Sequence, residues 1–360
     1  MTYVENRINK LLQKLPEDVD AVLIHSGVNR QYFTSFPSSA GTLLVIKNAE
    51  AYFIIDFRYY EKAQKEVNGC TVLLQEKLFE QINTLLKKHN VKKIAIESEY
   101  MTVSEFSYYQ ERLPNVSLVM NKQVDEMIRN MRMIKSAKDL EYIQTAQKIT
   151  DDAFHHICSY MQPGMTEKDI AGELMDYTYR NGSERPSFDF IVVSGANSSL
   201  PHGVPTNKKV ELGDFITMDF GCVVNGYCSD MTRTIAVGRV NEKQTLIYNT
   251  VLKAQLAAIK TVKAGALCKD VDYSARNVIK EAGYGKCFGH STGHSVGLEI
   301  HERPAFSPLD QTVCQPGMVI TVEPGIYLAG QFGVRIEDMV VVTKNGCEIL
   351  TKSTKDLIIV

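Results

Sequence analysis

The sequence predicts an α/β protein of two domains, with α+β character in the second. Three observations support this prediction. At 360 residues, the chain exceeds the size of a usual single hydrophobic core. Short apolar strands alternate with amphipathic helices through the first third of the chain, as they do in an α/β unit. In the rest of the chain, strand patterns occur in groups that are separated by longer helices.

In the first domain, apolar residues at helical spacing predict helices over residues 4–15, 78–88 and 104–112. Short apolar runs predict strands over residues 20–25, 42–46, 51–55, 71–74 and 93–96. The alternation pauses near residues 125–136, where Ser136 and Asp139 have the spacing of a capping box that begins a new helix. We therefore expect a first domain over residues 1–130 and a second over residues 131–360.

In the second domain, Thr166 and Asp169 have the spacing of another capping box, and Asn181-Gly182 is a stop signal for the helix that follows. Two further helices are predicted over residues 243–262 and 268–282. Strands are predicted over residues 188–194, 214–220, 228–237, 333–343 and 357–360.

Composition limits the classes of function. A formal net charge of -2 favours neither nucleic acid nor a membrane surface as a partner. No apolar run reaches the length of a membrane span, and the charged first residues lack the apolar core of a signal peptide. The eight cysteines include no Cys-x-x-Cys pair, so we expect reduced thiols. Together these features predict a cytoplasmic protein.

A hairpin carries the first candidate site residues. Asn225-Gly226 is a two-residue turn signal between two apolar runs. With these turn residues, Asp219 lies opposite Thr232, and Asp230 is its diagonal neighbour on the same face. Two carboxylates in an apolar surrounding repel each other unless a cation lies between them. A solvated hairpin face is the alternative, and it would be the better interpretation of the hairpin alone.

Three histidines, His290, His294 and His301, fall within twelve residues of one glycine-rich stretch, although the whole chain has only eight. A lone histidine is usually structural, but such a group is better explained by metal ligation or proton transfer. Glu323 ends an apolar run, where a carboxylate is costly unless it is paired or bound to a metal. The remaining candidates are Arg335 and Glu337, which share a strand face and could form a simple ion pair, and the loop histidine His202.

The candidate ligands comprise one imidazole, His294, and four carboxylates: Asp219, Asp230, Glu323 and Glu337. Mostly oxygen ligands with a single nitrogen suit Mn²⁺, Co²⁺, Fe²⁺ or Zn²⁺. Five ligands are too many for one catalytic ion with an open position, and they suit two ions with bridging carboxylates. A water shared by two such ions would lose a proton near neutral pH and act as a nucleophile.

Five blocks of the sequence resemble the dinuclear site of the pita-bread metallopeptidases, the superfamily that includes methionine aminopeptidase, aminopeptidase P and prolidase. These blocks are residues 218–221, 229–234, 293–302, 321–325 and 335–337. Residues 29–32 and 56–59 resemble the creatinase-like N-terminal domain of the proline-specific branch. The resemblance implies a C-terminal pita-bread domain, preceded by a smaller creatinase-like α/β domain.

The resemblance also implies roles for individual residues. His202, His290 and His301 are expected to shape the pocket around proline and to stabilise the tetrahedral intermediate. Glu323 is expected to move a proton as well as to bind metal, and Arg335 to orient Glu337 or the substrate. Tyr327 is expected to line the pocket. The sequence departs from the family's Gly-His-Gly pattern at Ser295, which raises a question about the local backbone angle.

The resemblance implies hydrolysis of the Xaa-Pro bond of dipeptides by a hydroxide held between two divalent ions. Mn²⁺ is the expected metal, with Co²⁺, Zn²⁺ and Fe²⁺ as alternatives. Aminopeptidase P activity on longer peptides is the close alternative, because loop geometry decides which substrates enter. A non-catalytic binding module and a metal-free enzyme of the creatinase type are disfavoured by the complete ligand set. A small peptide with proline in second position is the expected partner, and relatives of this kind suggest a homodimer.

Overall fold

The structure is a computed structural model that describes residues 3–162 and 164–360. The described residues divide into two compact units, which meet between Arg132 and Met133. All eight cysteines are free thiols. Among the described helices, none combines the length and apolar character that crossing a membrane requires.

The first unit is built on a six-stranded mixed sheet in the order β4-β3-β2-β1-β5-β6. Its strands are β1 (Ala21–Ile24), β2 (Thr42–Ile46), β3 (Tyr52–Ile55), β4 (Thr71–Leu74), β5 (Lys93–Ile96) and β6 (Ser117–Val119). Its helices are α1 (Tyr3–Lys14), α2 (Gly27–Thr34), α3 (Phe57–Glu66), α4 (Leu78–Lys88), α5 (Val103–Arg112) and α6 (Gln123–Met133). The three central strands β1, β2 and β3 are fully buried, and one face packs on α4 and α5. This sheet with helical cover is the α/β unit that the sequence predicts.

Helices α2, α3 and α6 and strand β6 are not predicted by the sequence pattern. Helix α6 occupies the segment where we predicted a pause in the alternation. Helix α6 buries Val124, Ile128 and Met131, which recur at helical spacing and place one face of the helix in the core. The domain change therefore falls at the end of a helix and not in a loop.

In the second unit, two helix pairs cover antiparallel sheets. Helices α7 (Ala137–Tyr160) and α8 (Glu167–Arg180) pack on the three-stranded sheet β11-β8-β7. Helices α9 (Glu242–Thr261) and α10 (Cys268–Glu281) pack on the five-stranded sheet β13-β12-β14-β17-β18. The strands are β7 (Ile191–Ser194), β8 (Phe215–Phe220), β9 (Val223–Val224), β10 (Tyr227–Cys228), β11 (Met231–Ala236), β12 (Gly293–Ser295), β13 (Glu302–Phe306), β14 (Val319–Val322), β15 (Gly325–Leu328), β16 (Phe332–Arg335), β17 (Asp338–Val342) and β18 (Cys347–Ile349).

Both predicted capping boxes are confirmed. The Ser136 side chain accepts a hydrogen bond from the Asp139 N–H, and Thr166 accepts one from Asp169. In each box the aspartate carboxylate accepts from the backbone N–H of the capping residue, so two backbone N–H groups at the start of each helix are satisfied.

The predicted strand 333–343 is wrong as a single element. β16 pairs with β15, whereas β17 pairs with β14 in another sheet. Between them, the Glu337 N–H donates to Thr232 O on β11. The chain changes sheet at this point, and the change places Glu337 against the hairpin. The predicted strand 357–360 is reduced to one parallel bridge between Ala236 and Ile359.

Candidate metal centre and active site

The hairpin has the register that the sequence predicts. Asp219 on β8 pairs with Thr232 on β11, and the turn residues Asn225 and Gly226 have φ angles of 49° and 80°. Between the paired segments, a side chain at Gly221 would lie only 1.9 Å from Ser229 O. The absence of a Cβ therefore lets the two strands approach closely beside the two carboxylates.

The structure brings all five predicted ligands into one cavity of about 620 Å³ in the second unit. Ligand atoms of Asp230, His294 and Glu337 lie within 4.8 Å of one another. His294 Nε2 is 3.5 Å from Asp230 Oδ2 and 3.4 Å from Glu323 Oε1. Asp219 lines the same cavity, where Arg335 Nη2 donates to its Oδ2 at 2.6 Å.

The carboxylates make one another difficult to ionise. Burial, followed by the charges of Glu337, Asp219 and Glu323, raises the pKa of Asp230 well above its ordinary value. Burial, then Glu323 and Asp219, does the same to the pKa of Glu337. Burial and Asp219 raise the pKa of Glu323 to about 7 against the opposing charge of Arg335. Ionisation of all four acidic groups beside a single arginine would leave an excess of negative charge in this site.

Two oxygens indicate what the site is built to hold. Within residues 3–162 and 164–360, Asp219 Oδ1 and Glu337 Oε1 are buried side-chain acceptors without a hydrogen-bond partner. A buried acceptor without a partner costs about 1–3 kcal/mol or more when charged. Cations bound between the carboxylates would satisfy both oxygens and offset the repulsion, so these residues fit a divalent metal site.

Backbone contacts select the tautomer of His294. Its Nδ1 lies 3.3 Å from Ser295 O, which can only accept a hydrogen bond, so Nδ1 carries the proton. Burial lowers the pKa of His294 and favours the neutral ring. The lone pair of Nε2 therefore faces Asp230 and Glu323, as a metal-ligating histidine requires.

Two threonines support the ligands, and the sequence analysis did not identify a role for either. Thr232 Oγ1 donates to Glu337 Oε2 at 2.6 Å and accepts from Arg335 Nε at 3.0 Å. Thr321 Oγ1 accepts from the His294 N–H at 3.0 Å and donates to Glu323 Oε1 at 3.2 Å. The sequence pattern could have identified both threonines. Thr232 is the cross-strand partner of Asp219, and Thr321 lies two residues before Glu323 on the same face of the extended chain.

His290 is held by a directed chain of hydrogen bonds. Its Nδ1 donates to Ser291 O at 2.8 Å, and burial followed by the charge of Arg335 lowers its pKa to about 4. The neutral ring therefore accepts at Nε2 from the Tyr327 hydroxyl, which is 3.0 Å away. The same hydroxyl accepts from Arg335 Nη1 at 2.8 Å. Tyr327 does not itself line the cavity, contrary to the expectation from the resemblance, but joins two residues that do.

The other two histidines are open to the cavity. His202 and His301 are exposed residues that line it, and the rings of His301 and His294 meet edge to face at 4.3 Å between centroids. Most of the remaining wall comes from the segments 188–191 and 203–205, with Pro201, Ile300 and Ala305, and it is apolar except at Asp189. A volume of this size with apolar walls and a few polar groups is typical of a small-molecule site.

The structure answers the question about Ser295. The φ angle of Ser295 is not positive, so a serine fits at this position without backbone strain. Its Oγ, however, is buried and unpaired within the described chain. We expect Ser295→Ala to raise the free energy of unfolding by about 1 kcal/mol, because a desolvated hydroxyl is removed. Chemical denaturation measures the change.

Ser229→Ala is the matched control. Ser229 is equally buried, but its Oγ accepts from the Cys222 N–H at 2.9 Å and lies 2.7 Å from Thr150 Oγ1. This variant should lose about 1 kcal/mol or more. Destabilisation of similar size in both variants would show that the Ser295 hydroxyl has a partner.

Comparison with known proteins identifies the class. Residues 141–344 match metallopeptidase family M24, and residues 7–134 match the creatinase/prolidase N-terminal domain. The chain belongs to metallopeptidase family M24, and the protein is a metallopeptidase with a creatinase-like N-terminal domain and a pita-bread catalytic domain. The fold expected from the sequence resemblance is thereby confirmed.

Several individual relatives are similar to this chain over nearly its whole length. The chain is 38% identical to an Xaa-Pro dipeptidase of Pyrococcus horikoshii over 99% of this chain and 100% of the relative. The structure of an Xaa-Pro dipeptidase from Bacillus anthracis superposes with a TM-score of 0.94 at 40% identity and covers 99% of this chain and 100% of that one. An X-Pro aminopeptidase from Thermotoga maritima gives a TM-score of 0.92 at 36% identity, with coverage of 98% and 100%.

Proposed function

We propose that this protein is an Xaa-Pro dipeptidase that depends on two divalent ions held by Asp219, Asp230, His294, Glu323 and Glu337. The observation that carries the proposal is the convergence of these five donors in one cavity, with two buried carboxylate oxygens lacking partners. Full-length similarity to dipeptidases of this specificity supports the choice of substrate. Two bound ions would supply Lewis acidity that polarises the scissile carbonyl and eases deprotonation of water.

The chain's own residues divide the remaining work. Glu323, which lines the cavity, would take a proton from the attacking water and return it to the proline nitrogen. His202 and His301, which line the cavity, would donate to the substrate's carbonyl oxygen. His290 has both ring nitrogens engaged and presents a fixed wall, whereas Arg335 orients Asp219.

Proline explains why the wall is apolar. The Xaa-Pro bond is a tertiary amide without an N–H, so an enzyme cannot recognise it by a backbone donor. Recognition must come from the ring and from the geometry of the bond. Phe188, Phe190 and Ile191, with the segment 203–205, offer apolar surface of the kind that a pyrrolidine ring buries.

Aminopeptidase P activity is the second candidate, favoured by the similarity to the Thermotoga maritima X-Pro aminopeptidase. The separating experiment compares Ala-Pro, Ala-Pro-Ala and Ala-Ala in Mn²⁺, Co²⁺ and Zn²⁺. A dipeptidase hydrolyses Ala-Pro far faster than the tripeptide, and Mn²⁺ should give the highest rate. Preferential cleavage of Ala-Pro-Ala would assign aminopeptidase P activity, and equal cleavage of Ala-Ala would contradict proline specificity.

We also propose domains over residues 1–130 and 131–360, with a boundary close to that of the two compact units. A homodimer is proposed by analogy with related enzymes, and gel filtration with light scattering tests it. The cytoplasmic location stays a prediction, which the free thiols support.

Removal of the Tyr327 hydroxyl should slow the enzyme. In Tyr327→Phe, Arg335 and His290 each lose a partner, and groups that orient ligands typically matter by about 10–100-fold. We expect a fall in kcat/KM for Ala-Pro of that order. Tyr248→Phe is the matched control, since it also loses one buried tyrosine hydroxyl, whose partner is Lys355 O outside the cavity. Equal activity in the two variants would contradict the role of Tyr327.

A further inference from the structure

One buried carboxylate outside the cavity has no part in the function described so far. Glu167 is the first residue of α8, a position where acidic side chains are usually solvated, yet it is fully buried. Burial of a carboxylate is costly unless its oxygens are well supplied with hydrogen bonds. The side chain must therefore be held for a structural or functional reason.

The donors that surround Glu167 come from both ends of one loop and from Asn197 within it. Its Oε1 accepts from the Ser194 N–H at 2.7 Å, from Ser194 Oγ at 3.0 Å and from Asn197 Nδ2 at 3.1 Å. Its Oε2 accepts from the Thr206 N–H at 3.0 Å and from Thr206 Oγ1 at 2.6 Å. Burial would raise the pKa of Glu167, but these donors outweigh it and lower the pKa, so the group is a carboxylate.

The segment between those ends, residues 195–205, is the His202 loop. Its second half, residues 201–205, forms a continuous part of the cavity wall and carries His202. The opposite side of the loop is fixed by β16, since the Gly333 N–H donates to Ser198 Oγ at 2.9 Å and Arg335 Nη1 donates to Pro201 O at 3.3 Å. Glu167 thus joins the two ends of the loop by hydrogen bonds on one side, while Arg335 binds the loop from the other side.

We propose that Glu167 is a positioning residue that sets the place of His202 in the active site. It reaches no substrate itself, because Ser194, Asn197 and Thr206 surround it. A glutamine at this position would present an N–H₂ group to donors, and at least one end of the loop would be released. The catalytic consequence rests on the proposed dipeptidase function, whereas the geometric one does not.

A double-mutant cycle tests the catalytic consequence. Displacement of a catalytic group by about 1 Å can cost on the order of 100-fold, so we expect Glu167→Gln to lower kcat/KM for Ala-Pro by roughly 10- to 100-fold. If Glu167 acts through His202, the variant Glu167→Gln/His202→Ala is no slower than His202→Ala alone. Thr206→Val removes the hydroxyl bond to Glu167 and the acceptor of the Lys208 N–H, while the Thr206 N–H bond to Glu167 remains, so it should show the same pattern with a smaller effect. Glu173→Gln, on the same helix but bonded to His156, is the control and retains full activity.

A readout without substrate keeps this proposal separate from the proposed function. In ¹H–¹⁵N spectra of the Zn²⁺-loaded protein, the His202 ring signal is identified by its absence from His202→Ala. Glu167→Gln and Thr206→Val should shift or broaden that signal and leave the His155 signal in place. An unchanged His202 signal in both variants, or a double variant whose loss is the product of the single losses, would overturn the proposal. Absence of Ala-Pro hydrolysis by wild type would overturn the dipeptidase function and leave the spectral test standing.

Discussion

Replacing Asp230 with asparagine is expected to abolish hydrolysis and, at the same time, to stabilise the metal-free protein. Asp230 is almost completely buried, and three neighbouring carboxylates raise its pKa. In the absence of cations its charge opposes folding, so an uncharged isostere relieves repulsion. With cations, the same change removes a ligand. We expect turnover of Ala-Pro to fall by roughly 10³-fold or more and the thermal midpoint of the chelator-treated protein to rise.

Asp338→Asn is the control with the opposite sign. Asp338 is just as buried, but it lies 2.7 Å from Arg233 Nη2 and 2.6 Å from Lys355 Nζ. Burial raises its pKa, and the two cations outweigh burial and lower it. Removal of this charge leaves the buried Arg233 without its charged partner, although its hydrogen bonds to backbone carbonyls remain, and should cost about 3 kcal/mol. If Asp230→Asn destabilised the metal-free protein as much as Asp338→Asn, mutual repulsion of the ligands would be excluded.

Metal removal should also invert the dependence of stability on pH. The pKa of Glu323 is about 7 in the folded metal-free protein, against an ordinary value of 4.5. Between these values the unfolded chain has released a proton that the folded chain still holds, so stability falls as pH rises. The loss begins near pH 4.5, is complete above about pH 7, and amounts to about 3 kcal/mol for this group.

Divalent ions reverse the sign, because they bind the deprotonated carboxylates and binding strengthens as pH rises. Thermal midpoints measured from pH 4.5 to 8, with chelator and with Mn²⁺, should therefore diverge toward high pH. Glu323→Gln should make the chelator curve less steep, since one of the three carboxyl groups with raised pKa values no longer titrates while Asp230 and Glu337 still do. A chelator curve that rises through this range would contradict the raised pKa of the carboxylate group.

The sequence was sufficient where a signal is local. The turn Asn225-Gly226 sets the register of the hairpin, and that register alone places Asp219 opposite Thr232. Capping boxes at Ser136 and Thr166 gave the starts of α7 and α8 to within one residue. These features depend on residues at most a few positions apart, or on the period of a strand, and both can be read directly from the chain.

The sequence was insufficient where distant residues decide the structure. Helix α2 has only eight residues, and its start is stabilised by Glu97, which accepts from the Ser26 N–H at 2.8 Å and from Asn29 Nδ2 at 2.6 Å. The Thr232–Glu337 contact joins residues 105 positions apart, and Tyr327 reaches His290 across 37. No local pattern reports such partners. Residue chemistry indicated the ligand set and the resemblance agreed with it, whereas the supporting hydrogen bonds are visible only in the folded structure.

If five donors in one cavity hold a pair of cations, hydrolysis must depend on those cations. The decisive experiment is calorimetric titration of the chelator-stripped protein with Mn²⁺, combined with Ala-Pro hydrolysis at each addition. In the wild type, we expect two ions to bind per chain and activity to appear only as they bind. In Asp230→Asn, we expect neither the binding of two ions nor activity. Hydrolysis that persists in the stripped protein, or titration without binding, would contradict the claim.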